Sequence, residues 1–480
     1  MLRVTATAAA AASLGRFSIA RAAESASALA PMAAKPARRP NILMIVADDH
    51  RHDAVGAMGD GVVQTPHLDQ LIASGTAFSQ AHHMGGKFSA VCVPTRGSLM
   101  TGCSVFRAMS DPADHFIAPD RVTIGQHLRA NGYNTHIVGK WHNDDATLNR
   151  TFASGEAIFR RGLNSDQYSM RVHHYDPTGV YGSNTVYHAK KFSTDFLTDK
   201  AVDYLSSYQA EEPFFLYTAF TAPHDPRTPP KEFAKLYNPD HIPVPPNFAT
   251  VHPFDNGELH VRDEDLAPHP RTAKRVQREI ADYYGMISSL DAGVGRILAA
   301  LQASGQADNT IVVFTADHGL ALGQHGLMGK QNLYDHSGRV PLILRGPGVP
   351  AGKKSDALLY SWDLFPTLCD LAKVPTPDGL DAKTLQPLLA GETSQHRSEI
   401  HSLYRDVQRM AKNDRWKLIE YSVDHERHTQ LFDLKNDKWE MNNLAADPGV
   451  GEPLALLRES LGQWQIASGD TGMKFFSGLS

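Results

Sequence analysis

Asn41–His50 reads NILMIVADDH. Six consecutive apolar residues, Ile42 to Ala47, are followed at once by two aspartates. An alternating pattern would mark a strand with one wet face; an unbroken run of this length marks a strand covered on both faces, as in a parallel sheet flanked by helices. Three further stretches have the same form: THIVGKWH ends on Lys140 and His142, PFFLYTAFTAPH on His224, and NTIVVFTADH on Asp317-His318. In an open parallel sheet the carboxyl ends of the strands line one crevice, and ligands bind there. The four polar clusters are therefore expected to meet.

Between the strands lie helical segments. TPHLDQLIASG has Thr65 as cap, Pro66 at the first helical position and Gly75 as stop. Ile280, Tyr284, Ile287, Leu290, Val294, Ile297 and Leu301 share one helix face. VPLILRGPGV is one more buried strand. Residues 145–210, richer in His, Tyr, Asp and Gly, are predicted to form long loops over one end of the sheet. Pro226 to about Pro270 is a Pro-rich excursion, and from residue 396 onward short alternating segments (RWKLIEYS, TQLFDLKND) precede a closing helix, PLALLRESLGQWQ. The expected class is α/β: a central, mostly parallel sheet flanked by helices over 39–395, with a small C-terminal antiparallel sheet plus helix over 396–480.

Residues 1–38 read as a leader and Pro/Ala linker. An early arginine, an alanine-rich stretch and Ala20-Arg21-Ala22 point to an exported, periplasmic or secreted protein. No later segment offers the roughly 18 apolar residues of a membrane span. Hydrophobic residues at 42% and charged residues at 21% describe a globular chain, and a net charge of -5 without a basic run argues against nucleic acid as the partner. Three cysteines cannot all pair with one another, so a disulfide framework does not hold this fold.

Three carboxylates and an imidazole, Asp48, Asp49, Asp317 and His318, suit a hard or borderline divalent cation: Ca²⁺ first, Mg²⁺ or Mn²⁺ next. Without a cation such a cluster would repel itself and some members would take up protons.

Phe88–Gly102, FSAVCVPTRGSLMTG, carries Cys92 in a CxPxR pattern with trailing Leu99, Thr101 and Gly102. This stretch, GYNTHIVGKWH, and TADHGLALGQHGLMGKQNLYDHSGRVPLILRGPGV together resemble, in order, the signatures of the type I sulfatases of the alkaline-phosphatase-like superfamily. The resemblance runs from Asn41 to the end of the chain. It implies that Cys92 is oxidised by a formylglycine-generating maturation enzyme to formylglycine, the nucleophile. Pro94 and Arg96 would be recognition elements, and Arg96 would also buttress the finished site.

It further implies that Asp48, Asp49, Asp317 and His318, with the oxygen at position 92, hold the cation. Lys140 and Lys330 would hold sulfate, His142 would serve as base and His224 as the acid for the leaving alcohol. Many members of the family carry asparagine where His318 stands; branches with histidine there include iduronate-type sulfatases and phosphonate monoesterases. The expected activity is hydrolysis of an organic sulfate ester, on a sulfated carbohydrate by analogy. The alternatives are a phosphonate or phosphate ester hydrolase and a non-catalytic glycan-binding relative. His50, Arg51, His83, His174 and Arg405 are the candidate substrate contacts, and Cys103 and Cys369 are expected in the core.

Overall fold

The computed structural model describes residues 38–472. The leader therefore lies outside the described residues except for its last position. The main sheet uses strands β1 (Asn41–Asp48), β2 (Thr76–His82), β3 (Asn134–Lys140), β4 (Ser154–Phe159), β5 (Met170–His173), β6 (Val186–Ala189), β7 (Phe214–Pro223), β8 (Thr310–Ala316) and β9 (Arg339–Arg345). From β2 their order is β2-β9-β8-β1-β7-β3-β4-β5-β6, with Lys353–Ser355 and Leu359–Tyr360 pairing β2 to make eleven strands.

The four apolar segments singled out above are the four central neighbours, β8, β1, β7 and β3, all parallel. Every residue of β1 is buried, as are all those of β7 and β8. Burying a side chain such as Leu43, Ile45 or Val46 contributes roughly 1.5–3 kcal/mol relative to leaving it exposed. The register keeps the ends level: Ala47 pairs with Ala316, Asp48 with Pro223 and Gly139 with Ala219. The polar residues that follow consequently emerge along one edge.

The long helix α2 (Ala273–Ala303) turns Ile280, Ile287, Leu290, Val294, Ile297 and Leu301 inward, as its spacing predicts, whereas Tyr284 of the same expected face is only half-buried and its neighbour Tyr283 is buried. The helix Pro66–Ala73 begins after Thr65 with Pro66 at its start. Its free N–H groups at His67 and Leu68 bond the Asp291 carboxylate of α2 at 3.1 and 2.8 Å, so one helix caps another.

Residues 145–210 differ from the expected loops. They hold a helix (Asp145–Thr151), β4 to β6, and the helix Ser193–Ser207. β4 continues the parallel sheet beside β3, and β5 and β6 add an antiparallel pair at its edge. Strands of four residues carry too few alternations to register as a period, and polar residues on an edge mask them further.

At the C-terminus β10 (Ile400–Tyr404), β11 (Gln408–Lys412), β12 (Trp416–Val423) and β13 (Glu426–Asp433) form an antiparallel sheet. Helix α3 (Gly451–Ser468) packs Leu457 and Leu461 against Ala411, Leu418 and Leu431. A fifth strand comes from far away: Gly85 and Gly86 pair with Leu403 and Tyr404. Gly85 has φ +83°, and a Cβ there would stand 2.0 Å from the Leu403 carbonyl oxygen, so only glycine permits the pairing. Among the described residues no helix is long and apolar enough to cross a membrane.

Candidate active site

Helix α1 (Cys92–Thr101) starts at the strand ends, with all ten of its residues buried. Cys92 is its first residue, where unpaired backbone N–H groups favour negative charge. Its sulfur lies 3.1 Å from Nδ1 of His142. Burial opposes a thiolate here, but His142, Lys140 and Lys330 outweigh it and hold the Cys92 thiol well below its ordinary range. One turn on, Arg96 is buried and reaches Asp317 Oδ2 through Nε at 3.1 Å and the Tyr217 hydroxyl at 3.2 Å. It joins α1 to the end of β8 and to the interior of β7.

Three carboxylates gather beside Cys92. Asp48 closes β1 and accepts the Lys140 ammonium, which also donates to the Gly162 carbonyl at 2.7 Å. Asp49 follows with φ +66° and accepts from Lys330 Nζ at 2.8 Å. Asp317 follows β8; its Oδ1 accepts the Asp49 and His318 N–H groups at 3.2 and 3.0 Å. Burial alone would raise Asp317, yet His318 and Arg96 hold it at about 2. The three carboxylates are matched by Lys140, Lys330 and Arg96, one cation against each.

The donors fit a divalent cation. Ligand atoms of Asp48, Cys92, Asp317 and His318 lie within 4.8 Å of one another, as do those of Asp48, Asp49 and His224. Asp48 Oδ1 and His318 Nε2 are buried with no hydrogen-bond partner. In a second cluster, His325, His336 and Glu440, the carboxylate already has a cationic partner: Lys417 Nζ stands 2.6 Å from it.

His224 sits just beyond β7. Its Nδ1 is 3.1 Å from Asp225 Oδ1, and its Nε2 is 3.8 Å from Asp49 Oδ2. Burial would lower its pKa, but Asp49, Asp48 and Asp225 raise it to about 9 despite Lys330. Asp225 is held in turn by Arg262.

All ten residues expected to do chemistry or hold metal thus meet. A pocket of about 370 Å³ opens over Cys92, His142, His224 and Lys330, walled by Ser89, Leu163, Arg262, Gln331 and Tyr404 among others. None of the five substrate candidates lines it. His50 is buried and bonded to the Ala54 carbonyl; Arg51 is buried and paired with Asp53. His83 lies behind the site, bonded to the Ser337 carbonyl with its ring 6.1 Å from that of His318. His174 is exposed and stacked on Tyr187, and Arg405 pairs with Glu258 beside the pocket residue Tyr404.

Sequence reasoning missed Asp225, Gly162 and Arg262. Asp225 stood next to His224 in APHDP. Gly162 and Arg262 lie in stretches without periodicity, where only the folded chain reveals their neighbours.

Comparisons with known proteins identify the family. The chain is 29% identical over 459 residues to an arylsulfatase of Clostridium perfringens, covering 88% of this chain and 94% of that protein. It is 26% identical over 481 residues to an N-acetylglucosamine-6-O-sulfatase of Bacteroides thetaiotaomicron, covering 86% and 82%. Among solved structures, a protein in complex with its substrate D-glucosamine-2-N,6-O-disulfate superposes with TM-score 0.74 at 23% identity, over 90% of this chain and 99% of that one. A family description named N-sulphoglucosamine sulphohydrolase, C-terminal, matches residues 323–467. The sulfatase family description matches residues 40–374, so the chain belongs to the sulfatase family, within the alkaline-phosphatase-like superfamily, and is an enzyme that hydrolyses sulfate esters.

Proposed function

We propose that this sulfatase removes sulfate from a saccharide sulfate ester, with formylglycine made from Cys92 as its nucleophile. The observation that carries this is the 3.1 Å contact between Cys92 and His142 on the floor of a pocket that also holds Lys330 and His224. Oxidised in this way, position 92 supplies a hydrated aldehyde: one hydroxyl attacks sulfur, and loss of the proton from the other then expels sulfate and regenerates the aldehyde.

The neighbouring side chains have the chemistry to serve that role. His142 is within reach to take a proton from the atom at position 92. Lys140 and Lys330 bring two buried positive charges against the sulfate oxygens, where low polarity makes them count most. His224, protonated and oriented by Asp225, gives a proton to the leaving alcohol oxygen, since a sugar alkoxide leaves poorly without one. Arg96 keeps Asp317 ionised and in register with α1. Asp48, Asp49, Asp317 and His318, together with an oxygen at position 92, would hold a divalent cation, Ca²⁺ first and Mg²⁺ or Mn²⁺ next. It would supply positive charge that acidifies a bound hydroxyl and screens a sulfate oxygen.

A saccharide substrate is supported by the amino-sugar sulfates named for two of the relatives above. The leader supports export, and the burial of Cys92 supports a dedicated maturation enzyme as a partner.

The mass of the tryptic peptide Phe88–Arg96 from protein made in its native host tests the nucleophile: an aldehyde at position 92 is expected, and an unmodified thiol in active protein would overturn it. Matured protein is then assayed on sulfated saccharides and on one aryl group carried as sulfate ester and as phosphate diester. Faster phosphate diester turnover would replace the sulfate-ester reading with a phosphonate or phosphate ester hydrolase. Tight glycan binding without any release would leave a binding protein.

A further inference from the structure

Beside the pocket mouth the chain carries positive charge that the fold does not neutralise. β4 runs directly into Arg160-Arg161-Gly162-Leu163, and the last two residues line the pocket. Arg160 is committed: it holds Asp145 at 2.6 Å through Nε, donates to the Tyr181 carbonyl and lies over that ring at 5.0 Å. Arg161 is exposed, and among the described residues it has no hydrogen-bond or ion-pair partner. The same holds for the side chain of Arg171 in β5, which is half-buried and sits directly opposite the exposed His188 of β6.

Ile158 of β4 pairs with His173 of the antiparallel β5, so Arg171, two residues back along β5, runs beside the end of β4 that leads into Arg160 and Arg161. The buried His173 is kept neutral first by its burial and then by Arg160, Arg171 and Arg161, against one carboxylate, Asp145. A guanidinium fork matches the oxygens of sulfate or carboxylate in a bidentate way, and an unpaired one sacrifices no existing ion pair to do so. The pocket of about 370 Å³ is too small for a whole oligosaccharide, whose neighbouring units must lie across its rim.

We propose that Arg161 and Arg171 form a subsite, continuous with the Gly162–Leu163 rim, for an anionic group on the sugar unit next to the one being desulfated. The substrate is then a polyanionic saccharide bearing a further sulfate or carboxylate outside the pocket. This rests on the sulfatase reading above.

The test uses the full chain carrying Cys92→Ala, so that nothing turns over, and two fluorescently labelled tetrasaccharides: one sulfated on every unit, one with uronates alternating with a single sulfated end unit. Kd is measured by anisotropy at low and high salt. Adding R161A/R171A is expected to raise Kd about tenfold at low salt, with the difference shrinking as salt screens the charges. R161K/R171K, which keeps charge but not the fork, is expected to fall between. A larger effect on the fully sulfated probe names sulfate as the second group, and a larger effect on the other names the carboxylate.

In matured protein with Cys92 intact, the ratio of kcat/KM for the favoured tetrasaccharide to that for an aryl monosulfate is expected to drop about tenfold in R161A/R171A. Unchanged Kd for both probes at low salt overturns the subsite, even if sulfate is released. Charge-dependent binding without sulfate release from any substrate by matured protein would instead overturn the sulfatase reading and leave the subsite standing.

Discussion

The Cys92 sulfur and the His142 Nδ1 are 3.1 Å apart, although fifty residues separate them in the chain. One begins α1 and the other follows β3, so the contact exists only because helix and strand end at the same edge of the sheet. Cys92→Ala removes one buried sulfur and little volume. Sulfate release is expected to vanish, while the far-UV CD spectrum is retained and the melting temperature moves by a few degrees, in line with about 1 kcal/mol. Release at the wild-type rate would take position 92 out of the chemistry.

Gly162 sets the other side of the same imidazole. A Cβ on it would stand 2.6 Å from both Cε1 and Nε2 of His142, and its carbonyl already accepts from Lys140. The atoms that must yield are the tip of a side chain, so Gly162→Ala is expected to push His142 aside rather than unfold the protein. A displacement near 1 Å at a reacting group costs on the order of 10²-fold in rate. We expect that loss in kcat with a near-normal melting temperature; full activity would show that His142 needs no such slot.

Proton supply to the leaving group should set the alkaline limb. Raised to about 9, His224 stays protonated through neutral pH and loses its proton as the pH climbs through that value. Turnover that needs the proton falls in the same range. A cation bound at Asp49 competes for the charge that lifts His224, so the metal-loaded limb is expected below 9. Asp225→Asn removes a second lifting charge and should move the limb lower still, read from kcat/KM against pH. An unmoved limb would mean that Asp225 does not set it.

Exhaustive chelation is expected to reduce turnover and Ca²⁺ to restore it. Ca²⁺ should also raise the melting temperature, because an ion that binds only the folded state stabilises it by mass action. Asp317→Asn should abolish that rise. A melting temperature indifferent to Ca²⁺ in the native protein would count against the carboxylate cluster as a cation site.

A different buried network governs stability. Asp335 accepts from Lys412 at 2.7 Å and Lys417 at 2.8 Å and pairs with Arg339 at 3.3 Å, joining β9 to the C-terminal sheet. Asp335→Asn leaves these cations in low polarity with half their compensation. A loss of about 3–5 kcal/mol in urea unfolding is expected. A loss under 1 kcal/mol would show that Glu440 alone suffices for Lys417.

What the chain reveals before folding follows from how each signal is encoded. β1, β3, β7 and β8 declare themselves because a strand buried on both faces must be continuously apolar, and the chemistry stands directly after each. Short edge strands such as β5 and β6 obey no such demand, and 145–210 therefore looked like loop. The same contrast divides the site. Cys92, Lys140, His142 and Asp317 sit in local patterns tied to strand ends or a helix start, and Lys330 in a motif readable only by its family resemblance. Substrate contacts depend on which loops fold over the mouth, and histidines such as His50 and His83, plausible from composition, are spent on backbone carbonyls inside the core.

The pairing of Gly85–Gly86 with Leu403–Tyr404 imposes an order in time. Cys92 is 2% exposed once the fold is complete, and the Tyr404 hydroxyl that bonds the Ser89 carbonyl beside it lies 315 residues downstream. At about 5–20 residues per second, the ribosome delivers that strand roughly 15–60 seconds after the cysteine. During that interval the segment before Cys92 has no C-terminal sheet to join. On the proposed formylglycine chemistry, a modifying enzyme that needs an extended peptide would meet its substrate on the nascent or still unfolded chain, and the speed of synthesis relative to modification would set the fraction of molecules born active.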